Sequence, residues 1–139
     1  MAAAIRDLKL WQEAVALAGE VIRSLRTANR REVKSVVELV MSTAVAVATH
    51  ITDGYARYDA VEQHQFYTAA KRELLRLETH LALARRADLL SAASDADLAT
   101  RAQSVARLLV GYLAYLDRQL SDRAASPAAQ AAARVGEGK

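Results

Sequence analysis

The chain has 139 residues, no cysteine and a formal charge of +3. That length suits one domain, and the missing cysteines exclude disulfides, thiolate metal sites and thiol nucleophiles, in keeping with a reducing cytosol. So small a positive surplus is weak ground for nucleic-acid binding by itself. The start, MAAAIRDLKLW, has no long apolar stretch behind a basic head, and the longest nearly uncharged run, Leu39 to Ile51, falls short of the roughly 20 residues that span a bilayer. A soluble, cytoplasmic protein with no membrane partner is expected.

Between Met1 and Ser126 there is no proline, and the glycines are Gly19, Gly54 and Gly111, so few positions can interrupt long helices. Helices are expected over 8–26, 30–57, 60–90 and 95–121. Asp7 can cap the first; Asn29 with Glu32, Asp59 with Glu62 and Ser94 with Asp97 mark the next starts. On the first helix Leu8, Trp11, Val15, Ala18, Ile22 and Leu25 form one apolar seam. Leu10, Ala14, Leu17 and Val21 form a second seam about 100° around the axis. So wide a stripe is either a generous monomer core or one core seam plus an interface with another subunit. The second seam, Leu10, Ala14, Leu17 and Val21, is the candidate oligomer interface, and Ala14→Arg would then split the oligomer while sparing the fold.

Apolar residues of the second helix, from Val33 to Ile51, point in every direction around its axis, as in a helix buried on several sides. Its VVELV and AVAVATHIT stretches also read as strands by β-branching and alternation, but the cap at Asn29 and the helices on either side favour a helix. The third helix repeats the rhythm through Tyr67, Ala70, Leu74, Leu77, Leu81 and Ala84, and the fourth through Leu98, Ala102, Val105, Leu109, Tyr112 and Leu116. Amphipathic helices with short joints predict an all-α, antiparallel up-down-up-down four-helix bundle over 1–122. Residues 123–139, poor in large apolar groups, are expected to fray or stay disordered.

The polar residues show no catalytic spacing. No Glu-x-x-His pair suits a di-iron bundle, and His50, His64 and His80 are isolated, so no metal or cofactor is expected. No phosphate loop, GxSxG or HExxH occurs, and an enzyme is not expected. The polar stretch THITDGYARYD, 49–59, reads chiefly as the exit of the second helix: Gly54 for close approach or a left-handed turn, Tyr55 with a buried ring and a wet hydroxyl, Arg57 near the last carbonyls. Candidate nucleic-acid contacts are Arg23, Arg26, Arg30, Arg31 and Lys34 around the first connection and Lys71, Arg72, Arg76, Arg85 and Arg86 on the third helix. A solvated helix face accounts for the same charges.

Several stretches resemble a known family. DLKLWQEAVALAGEVI (Asp7 to Ile22), HITDGYAR (His50 to Arg57), and Phe66 followed by Ala70, Leu74 and Leu77-Glu78-Thr79 are similar, in order and spacing, to motifs of the proteins encoded in intervening sequences of bacterial 23S ribosomal RNA genes. His50, Asp53, Glu73 and Arg76 depart from the family pattern. The resemblance implies an up-down-up-down bundle that assembles into a ring, commonly a homopentamer. A related branch of that family, the accessory proteins of diversity-generating retroelements, forms basic pentameric barrels that bind nucleic acid and a reverse transcriptase. Two functions are expected in consequence: an accessory protein with RNA or DNA and a protein such as a reverse transcriptase as partners, or an adaptor or structural ring with no nucleic-acid role.

Overall fold

The structure, a computed structural model, describes residues 4–28 and 30–137, and among these there is no strand. Five α-helices follow one another: α1 Lys9–Leu25, α2 Lys34–Tyr55, α3 Ala60–Arg86, α4 Ala92–Ala124 and α5 Pro127–Glu137. Short 3-10 turns occupy Ile5–Asp7, Arg26–Ala28 and Arg31–Val33. The strand-like stretches VVELV and AVAVATHIT are helical throughout.

The helix ends show where local chemistry decided. Asp59 caps α3 as expected, its carboxylate accepting from the Val61 N–H at 3.4 Å. Asp7 lies in a 3-10 turn and makes no cap; Leu8 precedes α1 without a side-chain bond. Asn29 lies outside the described residues, and α2 begins at Lys34 because Arg31–Val33 turns more tightly first. The cap expected at Ser94 belongs to Ser91, whose hydroxyl accepts from the Ser94 N–H at 3.1 Å, while Asp97 pairs with Arg101 at 3.0 Å. At the far end of α3, Asp88 takes φ 62° and Leu89 N–H reaches back to the Ala84 carbonyl at 2.8 Å. That six-to-one bond closes the helix and swings Leu90 into the core. The segment expected to fray instead extends α4 to Ala124 and forms the 11-residue α5. Its alanines favour helix without needing burial, and the described side chains of α5 are exposed.

α1 packs against α2 and α4, and α3 packs against the same two, so the long helices form a closed cycle around one core. Leu17, Val21, Leu25, Val37, Val40, Val47, Ile51, Tyr67, Leu77, Leu98, Leu109 and Leu116 are its largest enclosed side chains. This arrangement reverses the roles expected for the seams of α1. Leu10 is 3% exposed and Ala14, Leu17 and Val21 are 0% exposed, so this seam faces the core and offers nothing to another subunit. Val15 and Ile22 of the other seam remain about two-fifths exposed, at 41% and 39%. Volume decides the choice: Ala14 lets neighbouring helices approach, whereas the Trp11 indole packs at the rim of the core.

α2 also departs from the expectation of burial on several sides. Its principal packing partners among the described residues are α1 and α3, so Val37, Val40, Ala44, Val47 and Ile51 are enclosed while Val36, Leu39 and Val45 stay exposed. Arg31–Tyr55 has a mean hydropathy of 1.5 in its most apolar window, enough to cross a membrane by length and composition. The uncharged run counted from the sequence understates it, since an apolar window can carry isolated charges. The core-facing side of that helix is nonetheless held inside the protein.

Because Ala14 is enclosed, Ala14→Arg should unfold the chain rather than split an oligomer. The added volume and unpaired guanidinium are expected to cost about 3–5 kcal/mol in urea denaturation; wild-type stability would contradict the enclosure.

Candidate functional site

Residues 49–59 serve the fold at the end of α2. Thr49 and Thr52 donate their hydroxyls back to the carbonyls of Val45 and Ala48, at 3.0 and 3.1 Å. Gly54 lies against the ring of Tyr67, where a Cβ would stand 3.0 Å from Cζ, and its φ is not positive. Of the two uses expected for this glycine, close approach is therefore the one found. The Arg57 guanidinium sits 4.8 Å from the Phe66 ring centre, and its backbone carbonyl accepts from the Gln63 side-chain amide at 2.6 Å. This arginine is thus engaged by an aromatic face at the start of α3.

Beneath Gly54 the Tyr67 ring meets that of Tyr112 at 4.8 Å between centres, and Tyr112 meets Tyr115 at 6.0 Å. The Tyr67 hydroxyl is buried without a well-formed hydrogen bond. Burial, and then the neighbouring phenols of Tyr112 and Tyr55, raise its pKa above the ordinary tyrosine value. The histidines sit apart. His64 Nε2 lies 2.9 Å from Asp117, and His80 Nδ1 lies 3.1 Å from the Thr43 hydroxyl. Since that hydroxyl donates to the Leu39 carbonyl at 2.8 Å, it accepts from a protonated His80 Nδ1. Among the described residues no group of three or more histidines and carboxylates is arranged to hold a metal ion.

The candidate cations divide into separate settings. Arg23, Arg26, Arg30, Arg31 and Lys34 are exposed around the α1–α2 connection, with Arg23 3.3 Å from Glu20 and Lys34 3.8 Å from Glu38. Arg85 and Arg86 end α3, Arg85 at 3.9 Å from Asp88. The contact between Thr43 and His80 puts the amino-terminal half of α2 beside the carboxy-terminal half of α3, so these two groups share one end of the molecule. Lys71 and Arg72 are exposed midway along α3. Arg76 turns toward α2 and pairs with Glu73 at 2.9 Å beside His80.

A feature that sequence reasoning did not find lies between α3 and α4. An open groove of about 840 Å³ has a floor of Leu81, Ala82, Ala99 and Ala102, with Glu78, Asp88, Asp95, Arg85, Arg86 and Gln103 around it. Its sequence signal is faint: alanines that coincide across two helices only once their pairing is known. A smaller recess of about 400 Å³ between α2 and α3 is lined by Leu39, Ser42, Thr43, Ala46, Glu73, Arg76 and His80.

The family model of 23S rRNA-intervening sequence proteins matches residues 6–111. The match covers well over half of the chain, which belongs to this family. No curated protein matches it.

Two substitutions test the packing around Gly54. Gly54→Ala gains helix propensity but pushes a methyl group into a ring held by Tyr112, and a net loss of about 1–2 kcal/mol is expected in urea melts; increased stability would show that the ring can yield. Tyr67 keeps its proton more tightly folded than unfolded, so its contribution is intact below the ordinary tyrosine pKa of about 10 and declines as pH rises above it. Tyr67→Phe should therefore blunt alkaline destabilisation measured above about pH 10, and an unchanged alkaline profile would remove Tyr67 as its cause.

Proposed function

We propose that this family member is a non-enzymatic, cytoplasmic accessory protein that works as a homo-oligomeric ring, commonly pentameric in proteins it resembles, and meets RNA or DNA with one end of its helices. Supporting contacts pair opposite ends of adjacent helices. Arg57 meets Phe66 where Thr43 meets His80; Asp59 lies 3.7 Å from Arg123 where His64 meets Asp117. Lys9 and Glu13 of α1 line one recess with Ser104, Arg107 and Leu108 of α4. These contacts support an antiparallel up-down-up-down four-helix bundle.

The observation that carries the nucleic-acid reading is the gathering of Arg23, Arg26, Arg30, Arg31, Lys34, Arg85 and Arg86 at one end. A ring would repeat that end around its axis, so weak phosphate contacts would act together. A reverse transcriptase is the kind of protein partner the family resemblance suggests. The enclosed face of α2 favours a core helix over a membrane span. A second reading, an adaptor or structural ring without nucleic acid, draws on the acids beside Arg23, Lys34 and Arg85, which offset part of the same charge.

Fluorescence anisotropy with RNA and duplex DNA separates the two. The accessory reading expects low-salt binding that weakens steeply as salt rises. Replacing Arg26, Arg30 and Arg31 with alanine should reduce the salt slope by about 3. No binding at low salt sinks the nucleic-acid role and leaves the adaptor.

A further inference from the structure

Thr43 is a polar residue enclosed in the core, only 6% exposed. Its hydroxyl donates to the Leu39 carbonyl at 2.8 Å, so its oxygen accepts from His80 Nδ1 at 3.1 Å. That bond ties α2 to α3 and fixes both the plane of the imidazole and its tautomer. With the proton held on Nδ1, the neutral ring carries its lone pair on Nε2. His80 Nε2 has no partner among the described residues, and the side chain lines the recess between α2 and α3. The other histidines differ. His64 has Asp117 at 2.9 Å from Nε2 and the Thr68 hydroxyl at 3.4 Å from Nδ1, so both of its nitrogens are engaged. His50 Nδ1 is buried without a hydrogen bond, so no partner at that nitrogen sets its tautomer.

The recess of about 400 Å³ brings donors to the same place. Arg76 lies one turn before His80 on α3, and its Nη1 donates to Glu73 at 2.9 Å. A guanidinium has five N–H groups, so the others remain for a further acceptor. Ser42 adds a hydroxyl from α2, and the small side chain of Ala46 leaves the opening wide enough for a tetrahedral anion to reach the ring. A fixed nitrogen lone pair beside a guanidinium and a hydroxyl can both attack a phosphoryl group and hold its oxygens. The chain has no Gly-rich loop to cradle a nucleotide, which favours a smaller donor with an already activated phosphoryl group.

We propose that His80 is a modification site, its Nε2 accepting a phosphoryl group from a small acyl phosphate within the α2–α3 recess. The Nε2 lone pair attacks phosphorus, and an N–P bond forms. The bond from phosphorus to the acyl oxygen breaks, and the carboxylate leaves with that electron pair. The Nδ1 proton stays in its bond to Thr43, so the ring becomes a phosphorylated imidazolium whose positive charge is offset by the phosphoryl oxygens it carries. Arg76 and Ser42 bind those oxygens. Thr43 is the positioning residue, since it touches the ring and not the phosphoryl group. The site depends neither on the oligomeric reading nor on nucleic acid.

The test is full-length protein incubated with acetyl phosphate and followed by intact-mass and fragmentation spectrometry in alkali. One phosphoryl group on His80, released by mild acid, is the expected product. His80→Asn, whose amide keeps a donor for Thr43, should lose the label while the far-ultraviolet circular dichroism stays helical. Thr43→Val should slow labelling on the order of tenfold, as when a histidine loses the partner that orients it, and Thr43→Ser should restore the rate. An unlabelled wild-type chain would overturn the proposal. So would equal labelling of His50 or His64, which marks unselective chemistry, or an acid-stable label on Ser42. A Thr43→Val rate equal to the wild type would overturn the role of the fixed tautomer.

Discussion

Each long helix carries an apolar stripe wider than its neighbours in one chain can cover, and most of the structure answers to that constraint. Leu10, Ala14, Leu17, Val21 and Leu25 of α1 face the core with Val37, Val40 and Val47 of α2, Leu74, Leu77 and Leu81 of α3 and Leu98, Leu109 and Leu116 of α4. The cycle gives each of these helices two principal packing neighbours, which leaves an outer flank on each. Val15 and Ile22, Leu39 and Val45, Leu75, and Val110 occupy those flanks. Scattered apolar residues on a surface are ordinary, but aligned ones on opposite edges are the usual mark of contact with another protein surface.

Small residues set how the elements meet. Ala14 admits close neighbours to α1, Gly54 admits the Tyr67 ring to α2, and the alanines between α3 and α4 leave the groove open. The polar stretch 49–59 belongs to the same logic. Its threonines bond within the helix, Arg57 covers Phe66, and Asp59 starts α3, so chemistry that looks concentrated along the chain is spent on turning it. The candidate cations gather mainly at one end, where Arg23, Lys34 and Arg85 lie beside acids, while Lys71 and Arg72 are exposed midway along α3 and Arg76 pairs with Glu73.

The sequence revealed the helices better than their orientations. The 3-4 rhythm identified the core of α3 residue by residue, from Tyr67 through Ala84, because its off-stripe leucines, Leu75 and Leu83, stand isolated among polar residues and alanines. On α1, two adjacent apolar stripes are alike in hydropathy, and only the volumes presented by other helices decide that Leu10 and Ala14 turn inward and Val15 outward. Periodicity carries no such information. Start signals were readable at Asp59, where one acceptor was available, and misread at Ser94, where Ser91 competed for the same role. The groove was hidden because Ala82 and Ala99 become neighbours only through the pairing of α3 with α4.

Membership of the intervening-sequence family accounts for the motifs at Asp7–Ile22 and His50–Arg57. The structure gives those motifs local work: α1 supplies one core seam and one outer seam, and the second motif turns the chain into α3. The central proposal is that the outer seams are covered by further copies of the same chain. Native mass spectrometry of the untagged full-length protein tests it most directly. A single closed multimer with no appreciable monomer is the predicted spectrum, and a stable monomer across the accessible concentrations would contradict the account.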